Sequence, residues 1–317
     1  LGANEAPPAI ISVYVGDQLA EVIEQLKKGE GVKYAEGELI ETGVESLPDI
    51  ERDSTDRNRT SPFAFTGNRF EFRAPGSRQS IGGINIVINT IVAEELTEFA
   101  EILKDSINIH KDALDLAIKT FKEHDRIIFN GNGYSDEWVE EAQRRGLLNL
   151  KTTPDAMPYF KSQKSIDLFT KQGVFSKVEV ETRTEIMMEE YNNTLHFEML
   201  TMLEMAKQEI LPACLKYTKF VTDDIASKKA IGLNAPKETE TAQKLTALTE
   251  DLMVKIDELE AATAIPGDLD VFGVGMYYKD TVIPAMEALR ATADTLETLV
   301  SKEYWPMPTY TELLYLV

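Results

Sequence analysis

Residues 56–73 read DRNRTSPFAFTGNRFEFR and bring Arg57, Arg59, Arg69 and Arg73 into one short span, with Glu71 between the last two. The run from Arg69 to Arg73 alternates charged and aromatic residues. A strand has a side-chain period of two, so this run predicts a β-strand with Arg69, Glu71 and Arg73 on one face and Phe70 and Phe72 on the other. An isolated RFEFR also describes an exposed strand whose ion pairs contribute little. The arginines just upstream favour a more demanding reading, a surface that holds anions beside a divalent cation. Guanidinium forks suit carboxylate and phosphate, and a carboxylate oxygen suits a hard cation.

Outward from this stretch the chain changes character. IISVYV (10–15) predicts a strand. Residues 17–30 carry Leu19, Val22, Ile23 and Leu26 at helical spacing, with Asp17 placed to cap the helix and Gly29 and Gly31 to end it. Residues 31–55 are acidic and polar and predict a surface excursion or a weak hairpin. APGSRQSIGG (74–83) predicts a turn or loop, and residues 84–107 begin β-like and become a long amphipathic helix. Beyond them the pattern is helical over 112–129, 178–227, 240–265 and 278–305. Ser135 is placed to cap a helix starting near Asp136, and Gly146 to stop it. Pro212 is expected to kink or divide its helix, and Pro284 falls near the first turns of another. The apolar tail PMPTYTELLYLV (306–317) is expected to dock. No regular internal repeat is visible. The change of pattern places a boundary near 105–110, with an α/β part before it and an antiparallel bundle of long helices after it.

Composition narrows the function classes. The 317 residues suffice for two domains, and 43% hydrophobic with 27% charged content fits a globular protein. A net charge of −21 disfavours binding to phosphate backbones or anionic lipid. The single cysteine, Cys214 in ILPACLKY, reads as a buried structural thiol in a reducing compartment. No apolar run is long enough for a bilayer and no signal peptide is visible. His110, His124 and His196 lack the paired spacing of zinc ligands. Met187, Met188, Met199, Met202 and Met205 read as core packing, SIGG and NGNG as turns, and Glu189 and Glu190 as a solvated helix face.

Three longer stretches carry a resemblance. LGANEAPPAIIS (1–12) followed by residues 56–73 resembles the C-terminal part of the catalytic domain of type III glutamine synthetase, the large bacterial form. GYSDEWVEEAQRRGLLNLKTTPDAMPYF (133–160) resembles that family's C-terminal extension. The resemblance runs the length of the chain. It implies an α+β fold: the C-terminal portion of a glutamine synthetase-like α/β catalytic domain over 1–106, then a helical C-terminal domain, a long-helix antiparallel bundle, over 107–317. It implies an ATP-dependent ligase that joins ammonia to glutamate through a γ-glutamyl phosphate, with Mg²⁺ or Mn²⁺. It also implies a cytoplasmic dodecamer of two stacked hexamers, with active sites between neighbouring subunits of a ring.

The resemblance also implies residue roles. Glu71 matches a metal-binding glutamate, Arg73 the arginine that meets the carboxylate of the substrate glutamate, and Arg69 a basic residue near the ATP phosphates. Arg59 matches the arginine that meets the transferred phosphoryl group and the glutamyl side chain. Glu5, in NEAPPA with Asn4, Pro7 and Pro8, matches the glutamate of a flap that closes over substrate and takes a proton from ammonium. Without the resemblance, NEAPPA reads as a Pro-rich turn. Commoner forms of the family carry another arginine where this chain has the uncharged SPFAFTG; Arg57 is the candidate for its ATP-phosphate role, with Arg52 or an upstream residue as alternatives. The family's enzymes are much longer, so the chain reads as a C-terminal fragment. The remaining metal ligands lie upstream or on a neighbour, and the fragment alone is expected to be inactive. Two other readings stand beside this one: a helical scaffold or oligomerisation module without activity, and a related γ-glutamyl amide ligase.

Overall fold

The structure, a computed structural model, describes residues 9–29, 39–40, 50–51, 60–74 and 80–315. Its contacts divide the chain into two compact units, 1–180 and 181–317.

The first unit is built on a small sheet. β1 (Val13–Tyr14) is shorter than the predicted strand, because Ile10 is drawn into a core with Trp138 and Ala142. Gly16, at φ 78°, turns the chain into α1 (Asp17–Lys28), a left-handed region open to glycine. Asp17 does not cap that helix; it is the first helical residue and favours the positive end of the helix dipole. β2 (Leu39–Ile40) and β3 (Ile50–Glu51) form a separate antiparallel pair. β4 (Phe63–Phe65) runs parallel to β1 and antiparallel to β5 (Phe70–Phe72). The four residues between β4 and β5 turn through Gly67 at φ 92°, and the Thr66 N–H donates to the Arg69 carbonyl at 2.9 Å.

α2 (Ile81–Leu103) corrects the expected loop and β-like start. The Ser80 Oγ accepts from the Gly82 N–H at 3.1 Å, so SIGG is a capped first turn. α3 (Ile109–Glu123) also stops before the predicted end at 129. After a 3₁₀ turn (Asp125–Ile127) Ile128 and Phe129 lie along β1. There the Phe129 N–H donates to the Val13 carbonyl at 3.0 Å, and the Asn130 Oδ1 accepts from the N–H groups of Val15 and Gly16 at 2.9 and 3.1 Å. The Asn130 amide thus serves as the next carbonyl of the sheet where the backbone has already turned away. α4 (Asp136–Arg144) starts at Ser135 as predicted, with Ser135 Oγ accepting from Trp138 N–H. Trp138 stacks on Phe129 at 3.7 Å between ring centres. α5 (Thr153–Phe160) and α6 (Gln163–Lys171) follow, and Ile166 and Phe169 pack with Val87 of α2 and Val180. Lys171 pairs with Glu94 across the same contact. The expected boundary at 106/107 is therefore not where compactness changes: residues 107–180 pack with the sheet and α2, and the units divide at 180/181.

The second unit holds three long helical runs. α7 (Lys177–Met205) continues through a π-helical turn, Ala206–Ile210, into α8 (Leu211–Ala230). α9 (Pro236–Ala262) returns antiparallel, with Lys207–Glu260 and Lys228–Glu238 pairing its two ends to the first run. α10 (Val271–Tyr277) continues through a second π turn, Tyr278–Val282, into α11 (Ile283–Glu297). This run is antiparallel to α9, through Thr292 Oγ1 to Asp251 and Tyr277 OH to the Ala262 carbonyl. It starts earlier than predicted, because Asp270 caps Gly273 N–H at 2.8 Å. Leu245, Leu252, Leu259, Met199, Cys214, Tyr278 and Leu296 form the shared core. Cys214 is buried, and burial pushes its thiol up to about 11, so it is an inert core residue as predicted.

Pro212 does not divide its helix. Each π turn ends two residues before a proline, Pro212 or Pro284. Proline removes one N–H and crowds the preceding carbonyls, and the wider π turn relieves both. The local sequences, AKQEILPA (206–213) and YKDTVIPA (278–285), share lysine, two branched apolar residues and Pro-Ala at matching positions. The tail docks only at its start: Met307 packs against the core, while Leu313, Leu314 and Tyr315 of α12 (Tyr310–Tyr315) are exposed and Glu312 ties the helix to Lys302. Among the described residues no helix is long and apolar enough to cross a membrane.

Two truncations test the two cores separately. Trp138→Ala should cost the first unit about 3–5 kcal/mol, and Leu252→Ala should cost the second about 2–5 kcal/mol. Urea unfolding followed by far-ultraviolet dichroism should show each variant lowering a different transition, with Trp305 fluorescence reporting the second unit alone in Trp138→Ala.

Candidate active site

The β4–β5 register builds the site. Ala64 lies opposite Glu71, while Phe63 faces Phe72 and Phe65 faces Phe70. The four phenylalanines gather on one side, with Phe63 and Phe70 stacked at 5.4 Å and Phe65 and Phe70 at 5.2 Å. The other side is left to Ala64, which is 0% exposed, and to the charged residues. A methyl group opposite Glu71 leaves room for guanidinium groups around its carboxylate.

Arg69 and Arg73 fill that room. Arg69 donates from Nε and Nη2 to the Glu71 Oε1 at 3.2 and 3.0 Å. Arg73 donates from Nε and Nη2 to the Glu71 Oε2 at 3.3 and 3.2 Å. These bonds, Arg73 first and Arg69 second, hold the Glu71 carboxyl below its ordinary value. The two arginines differ in setting: the Arg73 side chain is 18% exposed and that of Arg69 71%. The strand pattern predicted from Arg69 to Arg73 is therefore present, and these three residues meet. Glu5, Arg57 and Arg59, and the alternative Arg52, lie outside the described residues. Thr60, next to Arg59, is tied down where its carbonyl accepts from the Gly133 N–H at 2.8 Å.

The chemistry of Glu71 fits a hard divalent ion as one partial ligand. Among the described residues no group of three or more His, Cys, Asp or Glu is placed to hold a metal. A cleft of about 640 Å³ in the same unit is lined by Ile23, Lys122, Asp125, Arg126, Asn130 and Arg145, among others, and does not include Glu71. The triad stands outside that cleft, with the Glu71 side chain 33% exposed and that of Arg69 71% exposed. Two residues that position it were missed from sequence. Asn130 was read only as part of a turn, although an Asn after the branched apolar run 127–129 is a sheet-ending signal. Ala64 carried no signal until SPFAF became a strand.

Comparison with known proteins finds one family. Residues 112–229 match the family model of the glutamine synthetase C-terminal domain. A glutamine synthetase of Butyrivibrio fibrisolvens is 38% identical over 99% of this chain and 45% of its own length. A type-3 glutamine synthetase of Dictyostelium discoideum is 37% identical over 100% of this chain and 44% of its own length. A glutamine synthetase of Bacteroides fragilis is 31% identical over 99% of this chain and 45% of its own length. The chain thus spans a little under half the length of these relatives. By sequence it is similar to glutamine synthetases over its whole length. Within that class its similarity extends to a type-3 member, and residues 112–229 carry the class's C-terminal domain.

A depressed carboxyl stabilises the folded state above its unfolded pKa, and that contribution is lost as pH falls through the lower folded value. For Glu71 the loss should therefore fall below the ordinary value of 4.5. Carbon-13 titration of the Glu71 carboxyl should place its midpoint below 4.5, and Arg73→Gln should move it upward.

Proposed function

We propose that this chain is the C-terminal part of an ATP-dependent glutamate–ammonia ligase of the type III form. In this reading residues 1–106 close the catalytic domain and residues 107–317 form its helical C-terminal domain. The observation that carries the proposal is the Arg69–Glu71–Arg73 triad on one face of β5, in a chain similar to glutamine synthetases over its full length. A division of 1–106 from 107–317 is supported by a family match that begins at residue 112.

The reaction makes a γ-glutamyl phosphate from ATP and glutamate, and ammonia then displaces phosphate. Two anions must be held close together, so positioning and charge neutralisation do most of the work. Arg73 is assigned to the substrate glutamate's carboxylate, Arg69 and Arg57 to the ATP phosphates, and Arg59 to the transferring phosphoryl group and the glutamyl side chain. Glu71 would contribute one carboxylate to a Mg²⁺ or Mn²⁺ ion, which when bound draws charge from the phosphates. Glu5 would close over the site, exclude water from the acyl phosphate and take a proton from ammonium. The open side of the triad is consistent with walls supplied by further polypeptide or by a neighbouring subunit, in a cytoplasmic dodecamer of two stacked hexamers.

Two measurements test the proposal. Phosphate release with ATP, glutamate, ammonium and Mn²⁺ should be absent for residues 1–317 alone; turnover by this chain would overturn the assignment of ligands elsewhere. In a complete enzyme carrying this segment, Glu71→Ala should lower kcat by roughly 100-fold or more, the scale of losing one electrostatic contact to the reacting groups. Unchanged turnover in that variant would remove Glu71 from the site.

A further inference from the structure

The cleft of about 640 Å³ between α1, α3 and the end of α4 has the volume of a small-molecule site. Its charges are unevenly satisfied. Three acids line it, and each is met by a lysine from outside the lining: Glu24 and Asp125 share the Lys27 ammonium at 2.6 and 2.5 Å, and Glu123 has Lys119 at 3.8 Å. The cations are left differently. Arg145 is partly spent, with Nε on Glu141 at 2.8 Å and Nη1 on the carbonyls of Ile128 and Arg126 at 3.0 and 3.4 Å. Lys122 and Arg126 have no carboxylate at ion-pair distance among the described residues. Arg126 reaches across to the end of α4, where a Cβ on Gly146 would stand 3.5 Å from its Nη1. Asn130 adds a third unspent donor. The N–H groups of Val15 and Gly16 both point at Oδ1, which fixes the oxygen end of the amide, and nothing among the described residues accepts from Nδ2. Ile23 and Ile128 supply apolar wall beside these donors.

We propose that this cleft binds a small organic anion, with its carboxylate or phosphate head on Arg126 and Lys122 and its apolar body against Ile23 and Ile128. In a chain of net charge −21 most of the surface repels an anion, and unpaired cations beside neutralised acids are the exception. A guanidinium fork takes two oxygens of either head group, and the Lys122 ammonium adds a point charge. The apolar wall separates an organic anion from a bare ion, because it offers the ligand's body a surface to cover. None of Arg69, Glu71 and Arg73 lines this cleft, so the site stands apart from the charged face of β5 and does not depend on the ligase reading.

Isothermal titration of the complete protein that carries this segment tests the cleft. The probes are benzoate and phenyl phosphate, with acetate and inorganic phosphate as their counterparts without a ring. At least one ring probe should bind with a Kd of about 1 mM or below, and the tighter of the two names the head group. Arg126→Gln and Lys122→Gln should each weaken that binding about fivefold, the scale of one exposed ion pair, and the double variant should release one bound anion per chain. Lys111→Gln removes the same charge elsewhere on α3 and should leave the affinity unchanged. All three side chains are exposed, and unchanged far-ultraviolet dichroism shows that each variant keeps its fold. If neither ring probe binds, or if Arg126→Gln and Lys122→Gln bind as tightly as the unaltered protein, the cleft is not an anion site. If Lys111→Gln weakens binding as much as they do, only the general field of the protein is at work and the proposal is overturned as well. If acetate and inorganic phosphate bind as tightly as the ring probes, the apolar wall has no part and the organic class of ligand falls.

Discussion

The register of two three-residue strands decides which face of this hairpin carries the charges. With Ala64 opposite Glu71, the side-chain period of two sends every aromatic ring of β4 and β5 to one side and the charges of 69, 71 and 73 to the other. A shift by one residue would exchange the faces, pushing the carboxylate among the phenylalanines. The aromatic side therefore acts as the guard of the charged side. Gly67 and the Thr66 to Arg69 bond set the loop that holds this register, and the bond from Arg73 N–H to the Pro62 carbonyl at 2.7 Å closes its far end.

The rest of the first unit serves to keep that hairpin in place. β4 is stabilised by β1, and β1 by the segment at 128–130, which arrives from a distant part of the sequence. Asn130 satisfies two backbone donors that would otherwise be left at the end of β1, and Trp138 covers the approach by stacking on Phe129. A region that the sequence assigns to the helical extension is thus physically part of the support of β1 and, through it, β4. The family match begins at residue 112, whereas the compact unit runs on to residue 180.

The second unit follows different rules. Its helices are long enough for packing to override local breakers, and the two prolines are absorbed by π turns without ending a helix. Its core also holds a specific polar pair, where His196 Nδ1 meets the hydroxyl of buried Tyr278 at 3.0 Å.

Much was legible from sequence because it depends on local periodicity. The alternation in RFEFR, the helical spacing of the long segments, the cap at Ser135 and the buried nature of Cys214 all follow from neighbours in the chain, and the residue types in DRNRTSPFAFTGNRFEFR carried the family. Long-range choices were not legible. Whether 127–129 ends a helix or joins β1, whether SIGG is a loop or a capped turn, and where the compact units divide all depend on partners far away in sequence. So does the most consequential detail at the site, which acceptor positions of Glu71 each arginine takes. Composition names the groups that meet there, but only folding in three dimensions settles their geometry, because hydrogen bonds between side chains are decided by distances of a few tenths of an ångström that no periodicity encodes.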